Sequence, residues 1–398
     1  MRHATLAIVC LLAGIVSPAR AQINALGVMG DSLSDEYFEE TYGVYATNWV
    51  QQLVLFRGIN VGPTGAWGSP RRTGYAYNWA LAGDDSGDLL AHGQHIGLAS
   101  QVTSNGVTHA VLAIGANDFH PTGTAYIYIY NGWWSTSQIN TCVAGVLTNI
   151  ETALVTVKTT DVRIVVLNLL DYGKTPAVYG SAFYSNGTNR ERVAAAIEKV
   201  NGGLLFLAQK YQVPLVDAFR FQKTLFGSNT NLHQYASIGN VTINLQQGGS
   251  DPTLAFVEDN AHPHTTIQGL FANAVLTAFR LGHNVNIAPF TEAQILAHAG
   301  LSYGGADTLA AQVGDYRDYI VLPIRPQVTS LIVTGGLAQL RFSTVSNQFY
   351  RVERTDSLTP PSWTPLTNNV PGTGAGVLVT DPGAAAQPQR FYRVRQLP

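Results

Sequence analysis

Cysteine is nearly missing: the 398 residues contain two, and Cys10 lies in an apolar N-terminal stretch, leaving Cys142 without a partner in the rest of the chain. A disulfide framework is thereby excluded, and Cys142, inside an apolar-periodic segment, reads as a small core residue. Charge is sparse as well. Asp, Glu, Lys and Arg make up 12% of the chain, with 23 basic against 25 acidic residues and a formal net charge of −2. With no basic stripe, a nucleic-acid partner is excluded. Beyond the N-terminus no apolar run is expected to be long enough to span a membrane. No Gly-x-Ser-x-Gly elbow is present, which argues against an α/β-hydrolase arrangement. Asp85-Ser86-Gly87 stands alone, whereas aspartic-protease chemistry needs two such triplets. His92 and His95 lack a nearby third ligand for zinc, and the cluster Asp84, Asp85 and Asp88 suits a solvated loop or a calcium ion.

What is present begins with Arg2, the apolar stretch Ala4–Val16 and Ala19-Arg20-Ala21. This pattern predicts a secretory signal peptide over residues 1–21, a mature chain starting at Gln22 and an exported protein. Apolar β-branched runs follow at Ile23–Met29, His109–Ile114, Val162–Leu170 and Val213–Ala218, with a shorter strand expected at Tyr75–Leu81. Between and after them, helical spacing covers Val44–Arg57, Ser137–Thr159, Glu191–Tyr211 and Thr265–Leu281. Alternation of this kind implies βαβ units and a mainly parallel sheet over residues 22–283. Gly58–Arg72 and Phe219–Thr253 read as polar, irregular insertions. Residues 284–326 read as a connector with one short helix, and residues 327–398 as a small all-β sandwich of short alternating strands separated by Pro and Gly turns.

Several turns carry chemistry. Gly30-Asp31-Ser32-Leu33-Ser34 ends the first strand and puts Ser32 on the carboxyl rim of the sheet, where ligands bind in open α/β folds. Asp259-Asn260-Ala261-His262-Pro263 precedes the last helix, and the three-residue spacing lets Asp259 hold the His262 imidazole in one tautomer. A histidine so held can take the proton of a serine hydroxyl and make it a nucleophile. His264 is an alternative base at a less suitable spacing. Gly83 and Asn117 follow two other expected strands and can supply a backbone and a side-chain donor to a developing oxyanion. Tyr126-Ile127-Tyr128-Ile129-Tyr130 alternates at strand period and runs into Trp133 and Trp134. The segment is either an aromatic wall for substrate, through Tyr126, Tyr128, Trp133 and Trp134, or a hairpin that buries its isoleucines.

The blocks Gly30-Asp31-Ser32-Leu33-Ser34, Gly83, Gly115-Ala116-Asn117-Asp118 and Asp259-Asn260-Ala261-His262-Pro263 resemble, in order and spacing, those of the GDSL or SGNH hydrolases. The resemblance covers roughly residues 23–282. It implies a flavodoxin-like three-layer α/β/α sandwich and a catalytic triad of Ser32, His262 and Asp259. The implied oxyanion hole consists of the Ser32 and Gly83 N–H groups and Asn117. No metal or organic cofactor is implied. The insertions 58–72 and 219–253 have no counterpart in the family's minimal members. The expected protein is a secreted serine esterase acting on short acyl groups, acetyl above all, carried on a sugar or other polar alcohol. The insertions show no greasy groove, and the C-terminal sandwich suits contact with a surface or polysaccharide. A lipase or lysophospholipase of the same fold, or a non-catalytic glycan-binding protein, are the alternatives.

Overall fold

The computed structural model describes residues 22–71, 73–158, 162–346, 348–384, 387 and 389–397, and the expected signal peptide lies outside them. Strand β1 (Leu26–Gly30) is followed by helices α1 (Trp49–Arg57) and α2 (Gln94–Ser104), then by β2 (His109–Ala113) and α3 (Thr136–Lys158). Next come β3 (Arg163–Leu167), α4 (Gly187–Tyr211), β4 (Leu215–Val216), α5 (Ala218–Phe226), α6 (Thr265–His283) and β5 (Ile320–Val321). The central sheet has the order β1-β2-β3-β4-β5, parallel from β1 to β4 and antiparallel at β5.

Strand alternation decides which side chains face which layer. Leu26, Val28, Val111 and Val165 pack with Trp49, Val50 and Leu53 of α1 and with Leu270 and Val275 of α6. Met29, Ala110, Leu112, Ile164 and Val166 pack on the opposite face with Leu98 of α2, Ile150 and Leu154 of α3, and Ile197 and Val200 of α4. The result is the expected three-layer α/β/α sandwich. Helix α3 has the length and composition of a membrane span, contrary to the expectation that no later segment does. Its face Val143, Val146, Ile150, Leu154 and Val157 is buried in the core.

Three expectations need correction. The strand anticipated at Tyr75–Leu81 is reduced to a fringe: Thr73–Tyr75 pairs with Thr64–Ala66, and residues 77–81 run beside β1 through Tyr77 O, Trp79 N and Leu81 N. Counting that fringe, the parallel part of the sheet has the chain order 2-1-3-4-5, the flavodoxin order, with its switch point at the end of β1 and antiparallel β5 added at the far edge. Residues 219–253 are not irregular. They contribute most of α5 and the strands Tyr235–Ile238 and Val241–Gly248, which with Leu254–Phe256 form a three-stranded sheet. Residues 284–326 are more than a connector: β5 closes the free edge of β4, while Phe290, Leu296, Leu309, Val313 and Tyr319 enter the α1/α6 core.

The C-terminal segment forms two three-stranded antiparallel sheets, built from Val328–Thr334, Leu337–Ser343 and Gly376–Asp381 and from Thr364–Pro371, Phe349–Thr355 and Phe391–Leu397. Between them lie Leu340, Phe342, Tyr350 and Val352. It meets α4 through polar contacts, the Gln396 amide donating to Gln209 O at 2.9 Å and the Gln212 amide to Gln396 Oε1 at 3.0 Å.

Candidate active site

The carboxyl ends of β1 and β2 and the turn before α6 converge on one cleft of about 690 Å³, lined among others by Ser32, Gly83, Asn117, Tyr172, Asp259 and His262. Local chemistry places each of them. Gly30 ends β1 without a side chain because a Cβ there would stand 2.6 Å from Ala113 O on the neighbouring strand. The chain then turns tightly: Asp31 O accepts from Ser34 and Asp35 N–H, and Asp31 Oδ1 from Leu33 N–H at 3.0 Å. Ser32 is left at the tip. Burial pushes the Asp31 carboxyl up to about 7, and the Leu33 N–H and then the nearby His262 pull it back only in part.

Asp259 Oδ1 accepts from the N–H groups of Ala261 and His262 at 2.8 and 2.9 Å, closing a turn in which Asn260 takes a left-handed φ of 61°. The other oxygen of Asp259 meets His262 Nδ1 at 2.5 Å, and His262 Nε2 lies 2.8 Å from Ser32 Oγ. The imidazole is thus threaded between carboxylate and hydroxyl. The Tyr42 ring stacks beside it at 5.7 Å, and Tyr37 meets it edge-on at 6.4 Å. Burial opposes ionisation of Asp259, but its hydrogen bonds from His262 and the backbone outweigh that and hold the carboxyl below its ordinary value. His264 is not a competing base. It is buried at the head of α6, its Nδ1 accepting from the Thr265 N–H at 2.8 Å.

The loops bearing Gly83 and Asn117 are tied to each other. Gly83 has φ 88°, a conformation that glycine adopts without strain. Asp118 accepts from the Ser86 N–H and hydroxyl at 2.9 and 2.8 Å, and the Asn117 amide donates to Asp84 O at 2.9 Å. Gln94 pins this assembly to β1, bonding both the N–H and C=O of Gly30 and the Asp84 carboxylate. Asp84 also holds His92 at 3.0 Å, and Asp85 caps a short helix, Ser86–Ala91. Among the described residues, no cluster of three or more His, Cys, Asp or Glu has metal-binding geometry.

A profile of the family described as GDSL-like lipase/acylhydrolase matches residues 26–275. The chain belongs to this family. This GDSL enzyme is accordingly a carboxylic ester hydrolase. Solved structures similar to it include an acetylxylan esterase from Geobacillus stearothermophilus, at 13% identity over 66% of this chain and 96% of that one, with a TM-score of 0.35. A psychrotrophic esterase from Pseudoalteromonas sp. matches at 14% identity over 66% and 99%, with a TM-score of 0.35. A lipase from a goat rumen metagenome matches at 15% over 66% and 99%, with a TM-score of 0.41. No curated protein sequence matches the chain.

Two findings of the GDSL site depart from the sequence reading. Tyr126–Tyr130 is neither wall nor hairpin. It lies in a short helix, Thr124–Tyr130, that buries Tyr126, Ile129 and Tyr130 against the α3 and α4 layer. Tyr128 and Trp133 are exposed and Trp134 is half-buried, and none of Tyr126, Tyr128, Trp133 and Trp134 lines the cleft. The residue missed was Tyr172. Its hydroxyl donates to Asn117 Oδ1 at 2.6 Å, which leaves the amide nitrogen of Asn117 toward Asp84 O and the cleft. Tyr172 is itself fixed by its neighbour Asp171, whose backbone exchanges two hydrogen bonds with Gln222 and whose carboxylate accepts from Asn229. The one signal for it in the sequence was its position: it follows a third parallel strand, as Ser32 and Asn117 follow theirs.

Proposed function

We propose that this GDSL hydrolase is an exported serine esterase that cleaves short-acyl esters of polar alcohols through an acyl-enzyme. Ser32 Oγ attacks the ester carbonyl while its proton passes to His262 Nε2, and Asp259 steadies the imidazolium through Nδ1. The oxyanion formed is met by Asn117 Nδ2 and by the N–H groups of Ser32 and Gly83. Collapse breaks the bond between the carbonyl carbon and the alkoxy oxygen, and His262 returns the proton to the departing alcohol. Water, deprotonated by His262, then attacks the acyl-Ser32 ester and releases the acid and the free serine. The observation that carries this reading is the continuous relay of Asp259, His262 and Ser32, at 2.5 and 2.8 Å.

Support for a polar alcohol comes from the cleft. Glu40, Thr41, Asp85, Thr122, His120 and Glu258 line it around Ser32, so a leaving group there meets carboxylates and hydroxyls. A sugar hydroxyl is suited to such a rim, and the C-terminal sandwich would then hold a polysaccharide or surface. The test is labelling with a fluorophosphonate, followed by mapping of the modified residue. Ser32 carries the label, and Ser32→Ala loses turnover by a factor on the order of 10⁴ or more while keeping its melting temperature. An alanine variant that retains most of its rate refutes the assignment.

A further inference from the structure

A second space adjoins the reacting centre. It is a narrow cavity of about 50 Å³ bounded by His262 and Tyr172, the same two side chains that border the open cleft. The two turns that form the site divide their residues between these spaces. Ser32 lines the cleft and Leu33 the cavity, and Asn117 lines the cleft while Ala116 lines the cavity. The remaining wall is apolar, with Leu170, Leu225, Phe226, Phe256 and Phe271 prominent in it. Phe226 and Leu225 come from α5, within the segment that the sequence reading took for a polar loop without a groove. Polar groups at its edge are already engaged with one another. Asp171 and Gln222 share two hydrogen bonds, so neither calls for a polar ligand.

We propose that this cavity receives the acyl half of the ester and that its size selects an acyl group of about four carbons. The proposal rests on the esterase reading of Ser32 and adds the side on which the acid and alcohol parts lie: acyl tail inward past His262 and Tyr172, alcohol outward to the acidic rim. Size follows from the volume. On a measure by which about 10–15 Å³ admits one water, the cavity has room for roughly four water-sized groups. That suits the tail of a butyryl chain and excludes an octanoyl one. Acetyl leaves much of the apolar wall without a partner, and each further methylene that meets it gains about fourfold in kcat/KM.

The experiment is a series of p-nitrophenyl esters from acetate to decanoate, assayed with the full chain below its substrate solubility limits. The expected kcat/KM rises from acetate to butyrate by about fifteenfold, then falls at hexanoate and beyond. A steady decline from acetate, or a rise that continues to octanoate, overturns the cavity assignment while leaving the esterase reading intact. Absence of hydrolysis across the whole series, with Ser32 unlabelled by fluorophosphonate, overturns the esterase reading instead. Two variants move the optimum in opposite directions. Phe226→Ala lengthens the cavity and shifts the preferred chain upward by two carbons or more, and Leu225→Phe fills it and shifts preference toward acetate. If neither variant changes the ratio of butyrate to acetate turnover, the acyl chain lies elsewhere.

Discussion

The α/β unit and the C-terminal sandwich solve the same problem with different materials. In the α/β unit both faces of the sheet are covered, and residues such as Val28, Val111 and Val165 are wholly excluded from water. The sandwich covers far less. Leu340, Phe342, Tyr350 and Val352 are buried, while Leu331, Ile332 and Val333 on an edge strand remain 48%, 55% and 58% exposed. Its compensation is ionic. The fully buried Asp381 carboxylate accepts from Arg354 at 2.6 Å, Arg390 at 3.0 Å and Tyr392 at 2.9 Å, joining both sheets. In the α/β unit, buried polar groups such as Asp171, Gln222 and Gln94 instead hold loops at the carboxyl rim. Where the apolar core suffices for stability, polar clusters are free to position chemistry; where it does not, they become the staple.

That contrast can be broken at its most sensitive point, the donor that polar clusters position. Asn117→Ala should lower kcat on the order of a hundredfold or more with little change in KM if, as proposed, the donor acts on the transition state. Tyr172→Phe should give a graded version, roughly tenfold in kcat. It removes one hydroxyl, leaves the ring packing and frees the Asn117 amide to turn. Affinity for a boronic-acid transition-state analogue should fall in parallel with kcat. A Tyr172→Phe enzyme with normal kcat and raised KM would place the tyrosine in substrate binding.

The staple offers the second test. Asp381→Ala leaves two guanidinium groups without their shared partner, at a cost of about 3 kcal/mol to the sandwich. Turnover of a small soluble ester should be unchanged, because the sandwich meets α4 through a few glutamine contacts. Two melting transitions, the lower one shifted down, are expected by calorimetry. Parallel loss of activity would mean that the two regions unfold as one.

Much of this was visible in the sequence. The strands were legible because parallel strands buried on both faces are continuous β-branched runs, as in Arg163–Leu167. Ser32, Asn117, Asp259 and His262 were legible because each sits in a short turn whose spacing has a chemical reading. Tyr126–Tyr130 misled because a five-residue alternation also satisfies helical spacing: residues 126, 129 and 130 share one helix face, and the core took that face. Tyr172 left no motif. Its role exists only once two separate strand ends are side by side. The wall of the apolar cavity was hidden for a related reason, since Leu33, Phe226, Phe256 and Phe271 are scattered over most of the α/β unit.

The smallest expected effect separates the two kinds of buried carboxylate. Asp31 ionises near 3.8 as an unstructured side chain but at about 7 in the folded enzyme, chiefly because it is buried. Between those values the native state keeps a proton that the unfolded chain has lost, so this group's contribution falls as pH rises from about 4 to 7. Asp31→Asn should therefore gain on the wild type across that window, by at least about 1 kcal/mol at pH 8 and by little at pH 4. Asp381, held below its ordinary value by the Gly383 N–H, Arg390, Tyr392 and Arg354 against its burial, behaves in the opposite sense: its stabilisation is present above about pH 4 and lost below. Denaturation curves of Asp31→Asn and wild type that stay a constant distance apart from pH 4 to 8 would contradict the first half of this pairing.

The two-residue strand Ile320–Val321 gives the chain a vectorial timetable. Every side chain of the proposed relay has been synthesised once residue 262 is made, yet the edge of β4 has no partner until residue 321 follows. Through that interval the nascent enzyme carries a complete set of reactive groups on a sheet with an open, self-adhesive border. The closing strand lies a few residues ahead of the sandwich, so the border is sealed shortly before the second region begins to emerge. Synthesis order therefore completes the edge of the first sheet before the strands of the second region are made.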